Sequence, residues 1–336
     1  MLYVKYLIFN LFFIEQLYSI SLNRAQLEVW IPTYKTETLI NLSYRNITFI
    51  YNDTFEGLLN LVELNLSGNA LTSLTDLFLF ETLSNLQSLY LSKNQLGQIG
   101  PSMFKNVASL EYLDLSDNHL EVLEANTFSG IQNLRGLYLY NNKLRNLHGS
   151  YLFSDLKNLT FLFLNNNEIS ILGDPMLFLG LTKLEKLYLN SNQISWINSS
   201  SFNTLNSLNV LNLSCNHLRG LDDNVFNGLV SLREIYLHNN QISSIDQILF
   251  DSLTNLNLLF LNVNQIKYLN SSTLKKLANL ELLYLNLNSL EKIDSDVFLG
   301  NPKLEMVFLG DNPISLKQPA YVESLCSKIS GCHIYL

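Results

Sequence analysis

The feature that most constrains this chain is a sequence pattern that returns every 24 or 25 residues from residue 37 onward. The pattern is L-x-x-L-x-L-x-x-N-x-L, and residues 110–120 and 184–194 match it well. A fixed period of this length is the signature of a solenoid, in which each unit stacks on its neighbours to bury its apolar side. Twelve units begin at residues 37, 61, 86, 110, 134, 159, 184, 208, 232, 256, 280 and 304.

The L-x-L segment of each unit alternates apolar and polar residues, which predicts a short strand with one buried face. In one such segment Leu64 and Leu66 should point inward, while Asn65 between them points outward. One strand cannot bury its leucines alone, so neighbouring units are expected to form a parallel sheet.

An Asn follows the strand in eleven of the twelve units, and Arg45 replaces it in the first. The amide side chain offers both donors and acceptors. We therefore expect a column of Asn side chains to pair backbone groups that the turn would leave buried and unpaired. The eleven are Asn69, Asn94, Asn118, Asn142, Asn167, Asn192, Asn216, Asn240, Asn264, Asn288 and Asn312.

A large apolar residue recurs in the second half of the units. We interpret these residues as a phenylalanine spine packed inside the side of the solenoid opposite the sheet; the alternative is an exposed aromatic stripe. They are Phe55, Phe80, Phe104, Phe128, Phe153, Phe178, Phe202, Phe226, Phe250 and Phe298, with Leu274 as the one substitute.

The repeated core and the late phenylalanine resemble the extracellular leucine-rich repeat proteins of animals, the 24-residue class that includes Toll-like receptor ectodomains. The resemblance covers residues 37 to about 316. It implies an α/β solenoid: a leucine-rich repeat horseshoe with a parallel concave β-sheet of about 12 repeats, and a convex side of loops and short helices with the Phe spine. It says little about function, because one scaffold serves many partners.

The first residues resemble a secretory signal peptide, which we place at residues 1–21. Lys5 supplies a positive start, residues 7–14 form a short apolar run, and Ser19 and Ser21 suit cleavage. An uncleaved membrane anchor is the alternative. The sequence contains no second apolar run of about 20 residues. We therefore expect a secreted, extracellular protein with no membrane span in the mature chain.

The rest of the chain divides into an N-terminal cap without cysteines at 22–36, the repeats at 37–316 and a short C-terminal cap at 317–336. In the family that the chain resembles, cysteines close such caps, and Cys326 and Cys332 are therefore expected to form a disulfide. Cys215 is the odd cysteine. It is either a free thiol or a covalent link to a partner chain.

Eight Asn-x-Ser/Thr sites make the chain a candidate glycoprotein. Three of them fall at the centre of the predicted sheet, where glycans would cover the N-terminal end of the face and interrupt it further along. The eight are Asn41, Asn46, Asn52, Asn65, Asn158, Asn198, Asn212 and Asn270.

Charge and motifs exclude several functions. The formal net charge is −8, which argues against attraction to nucleic acid or anionic membranes. The sequence has no zinc-protease motif, no phosphate-binding loop and no nucleophile elbow. His238 lies beside Glu234 and Tyr236, but we interpret it as a surface strand residue. We expect a non-enzyme without a cofactor.

One acidic group stands out on the outward positions of the early repeats. A calcium site would need six to eight oxygen ligands, which a flat sheet rarely supplies. We interpret the group as a solvated patch or as a contact for a basic partner, and predict no metal site. It comprises Glu63, Glu111, Asp114 and Asp117, flanked by Lys93 and Arg135.

The fifth position of each unit lies at the centre of the outward face, and eight of its twelve residues are aromatic. Neighbouring strands are about 4.8 Å apart, so such rings can touch. The ladder either stabilises the sheet or offers rigid contact area to a partner. In order the residues are Asn41, Asn65, Tyr90, Asp114, Tyr138, Phe163, Tyr188, Asn212, Tyr236, Phe260, Tyr284 and Phe308.

The last three repeats place eight apolar residues at outward positions, which predicts an exposed patch of a few hundred Å². We predict this patch as the main protein-binding site; the alternatives are a homodimer contact or a surface covered by the residues after Pro313. The eight are Leu258, Phe260, Val263, Leu282, Tyr284, Leu287, Met306 and Phe308.

These observations favour a secreted, non-enzymatic binding protein that recognises a protein or a microbial or cell-surface ligand through the concave face, in innate immunity or cell adhesion. The alternatives are a structural matrix protein, a non-catalytic subunit of a secreted enzyme, or a fragment of a longer receptor. The matrix class usually carries cysteine clusters ahead of its repeats, and this chain has none.

Overall fold

The structure of the protein is a computed structural model that describes residues 19–147 and 151–336. Most of the predicted signal peptide and His148 lie outside these residues. The chain forms two compact units, the first ending at Leu159 and the second covering Thr160–Leu336.

The described residues of the first unit contain one helix and nine strands. The helix α1 covers Arg24–Trp30. The strands are β1 (Ile20–Leu22), β2 (Leu39–Asn41), β3 (Ile47–Ile50), β4 (Glu63–Asn65), β5 (Ser73–Leu74), β6 (Ser88–Tyr90), β7 (Gln98–Ile99), β8 (Tyr112–Asp114) and β9 (Gly136–Tyr138).

Five of these strands form the main sheet of the unit, in the order β2-β4-β6-β8-β9, and all are parallel. Their register joins identical positions of successive repeats, as in the pairing of Ile40 with Leu64 and of Leu64 with Leu89. The inward leucines are fully buried. The repeat therefore fixes both the spacing and the register of the strands.

The second unit repeats this plan over twelve strands and two short helices. The helices are α2 (Pro313–Lys317) and α3 (Pro319–Ser324). The strands are β10 (Phe161–Phe163), β11 (Ile171–Leu172), β12 (Lys186–Tyr188), β13 (Trp196–Ile197), β14 (Val210–Asn212), β15 (Glu234–Tyr236), β16 (Leu258–Phe260), β17 (Tyr268–Leu269), β18 (Leu282–Tyr284), β19 (Lys292–Ile293), β20 (Met306–Phe308) and β21 (His333–Tyr335).

Eight strands form the main sheet of the second unit, in the order β10-β12-β14-β15-β16-β18-β20-β21, again all parallel. The shorter strands pair as β11-β13 and β17-β19 on the flank. The predicted solenoid of stacked coils with a parallel sheet is confirmed. Turns rather than helices make up most of the side opposite the sheet.

The Asn column closes the end of each strand through side-chain hydrogen bonds. Asn264, for example, donates from Nδ2 to the carbonyls of Leu237 and Leu261, both at 3.0 Å. Its Oδ1 accepts from the backbone N–H of Ile242 at 3.0 Å. One amide thus pairs three backbone groups from two repeats, which would otherwise be buried without a partner.

The predicted phenylalanine spine is buried, and each of its rings is at most 1% exposed. In the first unit the rings of Phe55, Phe80, Phe104, Phe128 and Phe153 stack with centroids 5.9–6.5 Å apart. In the second unit Leu274 takes the place of a ring and is also fully buried. These apolar columns form the core opposite the sheet.

The N-terminal end is covered by apolar packing and by strand pairing. Leu27 of α1 and Tyr34 are buried, and the guanidinium of Arg45 lies 4.5 Å from the ring centroid of Trp30. Strand β1 pairs with β3, and Leu22 is fully buried. The boundary that the sequence places at residue 21 therefore falls inside β1.

Candidate binding surface

The outward face of the sheet in the second unit carries a nearly continuous column of aromatic rings. Phe163 stacks on Tyr188 with centroids 4.9 Å apart, and Asn212 then interrupts the column. Beyond it the rings of Tyr236, Phe260, Tyr284, Phe308 and Tyr335 stack with centroids 4.3–4.7 Å apart. Register pairing places them directly opposite one another.

Tyr335 belongs to this column, and sequence reasoning missed it. Residues 317–336 were expected to form only a cap, yet β21 pairs in parallel with β20 and extends the sheet. The available signal was the run Ile334-Tyr335-Leu336, which repeats the fourth to sixth positions of a unit with an aromatic residue at the fifth.

The predicted apolar patch is assembled around this column. Leu258, Leu282 and Met306 occupy identical positions on three neighbouring strands and pair in register. Each is partly exposed. Val263 and Leu287 lie in the turns after β16 and β18, and Leu287 is 47% exposed. All eight residues of the predicted patch thus lie on one face.

The eighth position of each repeat in the second unit has a left-handed backbone, with φ between 54° and 57°. A side chain with a branched or bulky Cβ is disfavoured in this conformation, whereas Asn and Asp tolerate it. Two of the seven residues are nevertheless Val263 and Leu287. The other five are Asn166, Ser191, Cys215, Asn239 and Asp311.

Apolar residues are therefore present at Val263 and Leu287 against the local conformational preference. Sequence reasoning identified both as exposed apolar residues but did not use the φ requirement of their position. The signal for it was the run of small polar residues at the same position in the other repeats.

Carboxylates border the patch where the strands begin. An open cleft of about 550 Å³ lies there, lined among others by Glu281, Glu305, Met306, His333 and Tyr335. The amide of Asn257 donates to Glu281 at 2.8 Å. A partner meeting this surface would contact apolar area in the middle and negative charge at this border.

At the other end of the column, Tyr236 and His238 lie close together. Tyr236 donates a hydrogen bond of 2.7 Å to Glu234, and burial together with this bond raises the pKa of Tyr236. Burial lowers the pKa of His238, whose ring is 6.1 Å from that of Phe260. His238 is therefore a neutral, partly buried part of the face at pH 7.

The outward face of the first unit is more polar. Asn41, Asn65 and Asp114 accept hydrogen bonds from the backbone N–H two residues later, at 2.9–3.0 Å. Tyr90 and Tyr138 complete the central positions, and burial raises the pKa of Tyr138. In the described residues of this unit, Asp114 separates the two central rings Tyr90 and Tyr138.

The predicted acidic group is divided among local partners. Glu111 forms a salt bridge with Arg135 at 3.3 Å, and Asp117 accepts from Asn141 at 2.7 Å. Among residues 19–147 and 151–336, no three acidic, His or Cys side chains are arranged to hold a metal ion. Glu63 lies on β4, at the same position as Ser88 of β6.

The predicted glycosylation sites lie in two kinds of place. Asn41, Asn65 and Asn212 end strands of the main sheets, and their Oδ1 atoms accept hydrogen bonds from the following turn. The remaining sites lie in turns or on the side opposite the sheet: Asn46, Asn52, Asn158, Asn198 and Asn270.

The three cysteines lie in two different parts of the second unit. Cys326 and Cys332 lie in the C-terminal cap with their Cα atoms 5.6 Å apart, so this pair is capable of forming a disulfide. Cys215 is a partly exposed thiol in the turn after β14, rather than on the strand itself. The amide of Asn239 lies 3.6 Å from its sulfur.

Six overlapping matches to the leucine rich repeat family model run from residue 84 to residue 314. The chain belongs to the leucine-rich repeat family. Proteins with this fold are mostly non-enzymatic binding proteins. No curated protein sequence matches the chain.

Solved structures of leucine-rich repeat proteins share the fold. A leucine-rich repeat protein of Leptospira interrogans is 28% identical with a TM-score of 0.76, over 91% of this chain and 74% of that one. A chain of the Toll–Spatzle complex of Drosophila is 22% identical with a TM-score of 0.72, over 94% and 45%. A plant peptide hormone receptor, solved with its peptide, is 25% identical with a TM-score of 0.64, over 85% and 46%.

Several of these neighbours are therefore ligand-binding receptors, and this chain spans about half the length of the receptor chains. None of the helices in the described part of the chain could cross a membrane. The shared fold indicates protein binding as the general role of the molecule.

Proposed function

We propose that this leucine-rich repeat protein is secreted and binds a protein ligand through the outward face of its sheet, in immune recognition or cell adhesion. The main contact is the apolar patch of Leu258, Phe260, Val263, Leu282, Tyr284, Leu287, Met306 and Phe308, which the neighbouring Tyr335 extends. The rings of Tyr236, Tyr188, Phe163, Tyr138 and Tyr90 provide further contact area.

The observation that carries this proposal is the left-handed backbone at two apolar residues, of which Leu287 is 47% exposed and Val263 is partly exposed. An apolar side chain in such a solvent-accessible turn stabilises the fold little, and an Asn or Asp there would fit the backbone better. Stability therefore gives little reason for these two residues. Contact with a partner gives one, because aromatic and aliphatic anchors in a desolvated centre dominate protein interfaces.

Secretion is supported by the short apolar run at residues 7–14 and by the eight glycosylation sites. The structure bears on where a signal peptide would end. Strand β1 begins at Ile20, so cleavage after Ser19 would retain the whole strand, whereas cleavage after Ser21 would remove two of its three residues.

The test is a cross-linking capture from the native secretion with purified protein, wild type against Leu258→Asp with Leu282→Asp. The two leucines pair in register at the third position of their repeats. A control changes the same position of the first repeat, Leu39→Asp, which is 51% exposed and lies beside the polar Asn41 of the first unit.

We expect the wild type and the control to capture the same partner, and the patch variant to lose at least about 90% of it, since a buried unpaired carboxylate costs several kcal/mol at an interface. Equal capture by all three proteins would contradict the proposal. Dimerisation of the wild type alone, without a second protein, would replace it with self-association and favour the structural matrix role.

A further inference from the structure

An exposed tryptophan lies next to one of the glycosylation sites on the flank of the second unit. Trp196 is the first residue of β13 and is 52% exposed, whereas the next residue, Ile197, is 3% exposed. Side chains alternate along a strand. Trp196 and Asn198 therefore both point away from the core, on the same side of the chain.

The two side chains meet above Gly173 of the preceding repeat. The Nδ2 of Asn198, the atom to which an N-linked glycan attaches, is 3.5 Å from the carbonyl oxygen of Gly173. A Cβ added to Gly173 would lie 3.3 Å from Cγ2 of Ile171 and 3.5 Å from Cζ3 of Trp196. The indole and the acceptor nitrogen thus border one small area, and the glycine leaves that area open.

The amide at Asn198 is not needed for the turn in which it lies. Its Oδ1 accepts a hydrogen bond of 2.9 Å from the N–H of Ser200. Asp222 and Asp246 make the same bond at the same position of the next two repeats, at 3.0 Å and 2.9 Å. A carboxylate therefore serves this turn equally well. The amide adds a donor to the carbonyl of Gly173 at 3.5 Å, and together with the hydroxyl at residue 200 it completes a glycosylation site.

We propose that an N-linked glycan on Asn198 packs its first sugar against the indole of Trp196. One face of a pyranose ring presents C–H groups, and contact with an aromatic face removes apolar area of both from water. The glycan covers an aromatic ring that would otherwise be exposed on the flank, and it leaves the outward face of the sheet free for the partner. This inference rests on the secretion in the proposed function.

Asn270 provides an internal comparison, because Tyr268 precedes it by two residues on β17. The hydroxyl of Tyr268 is bonded to both carboxylate oxygens of Asp294 at 2.8 Å, and Nζ of Lys292 lies 4.9 Å from the ring centroid. This ring already has partners of its own. The proposal therefore concerns Asn198 and not Asn270.

The test measures site occupancy and tryptophan exposure in protein secreted from a eukaryotic host. Glycopeptide mass spectrometry gives the occupancy of each site, and iodide quenching reports the exposure of the indole. Ser200→Ala removes the Asn198 site and keeps the backbone N–H that the turn uses. Ser272→Ala removes the Asn270 site as a matched control, and Trp30 contributes equally to all variants.

We expect Asn198 to be occupied, and the Trp196 component of iodide quenching to rise roughly twofold in Ser200→Ala as the ring returns to solvent. It should not change in Ser272→Ala. In the Trp196→Gln background, Ser200→Ala should have no effect on quenching.

Two results would overturn the inference while leaving secretion intact: an unoccupied Asn198 among occupied sites, or equal quenching with and without the glycan. A chain that does not enter the secretory pathway would overturn both secretion and this inference. The binding role of the sheet face is tested separately by the Leu258 and Leu282 substitutions.

Discussion

The sheet faces of the two units differ, although the scaffold beneath them is the same. In the first unit the central positions hold Asn41, Asn65 and Asp114 among two tyrosines, and their polar groups bond to the adjoining turns. In the second unit five rings from Tyr236 to Tyr335 stack without interruption. The inward leucines, the Asn column and the buried aromatic core recur in both units.

This difference separates the residues that make the fold from those available for binding. Inward positions are constrained by packing and repeat from unit to unit, whereas outward positions are free to vary. Departures from local preference are therefore informative only on the outward face. Tyr44 is a similar departure in the first unit, with a φ of 55° and an exposed fraction of 61%. Its neighbour at the same position of the next repeat is Gly68, which faces the ring, so Tyr44 does not form an apolar pair as Val263 and Leu287 do.

The largest expected effect is on the shared scaffold. Phe80→Ala in the first unit and Phe250→Ala in the second should each lower the free energy of unfolding by about 3–5 kcal/mol, because both rings are buried in the spine. Chemical denaturation of the two variants and wild type measures this. Tyr90→Ala, which truncates a partly exposed ring of the outward face, is the control and should cost clearly less. A large loss in one unit only would break the equivalence of the two scaffolds.

A smaller effect is expected at the left-handed turns of the second unit. Leu287→Asp and Val263→Asn should each raise the free energy of unfolding by about 0.5–1 kcal/mol, because Asp and Asn fit a positive φ better. The reverse change, Ser191→Leu at the same position, should lower it by a similar amount. Thermal and chemical unfolding of the three variants test the prediction. Destabilisation by Leu287→Asp would mean that these residues pack for stability.

The smallest expected effect is a pH dependence of stability that arises from His238 in the second unit. Burial lowers the pKa of His238 in the folded state, so the unfolded chain takes up a proton first as the pH falls. The neutral ring therefore contributes to the free energy of unfolding above about pH 6.5, and this contribution is lost as the pH falls through that value. His238→Gln should flatten the dependence of the melting temperature on pH between about 7.5 and 5.5. An unchanged slope would show that His238 has no part in it.

The sequence predicts the scaffold well because the same rule, which links a position in the repeat to a place in the structure, holds in each repeat. The strands, the Asn column and the buried phenylalanines each follow from one position of the repeat, and a single poor match does not obscure the rule. The eight patch residues were also identified, since outward positions follow from the alternation along the strand. Their binding role stays a prediction.

The features that the sequence did not predict occur only once in the chain, so repetition of the pattern does not reveal them. Strand β21 matches only three positions of the repeat, and β1 overlaps a segment that resembles a signal peptide. The juxtaposition of Trp196 and Asn198 over Gly173 depends on how two repeats pack on the flank. Gly173 precedes Asn198 by one repeat, and the pairing of Ile171 with Trp196 brings the three residues together.

The most direct test of the central claim is to measure stability and partner binding together in Val263→Asn with Leu287→Asp, which creates no new glycosylation site. If the two residues are present for binding, the double variant should be more stable than wild type and should bind the captured partner at least about tenfold more weakly, a loss of about 1.4 kcal/mol. Unchanged binding with higher stability would contradict the claim that the patch is the ligand site. Lower stability would contradict the claim that these side chains oppose the fold.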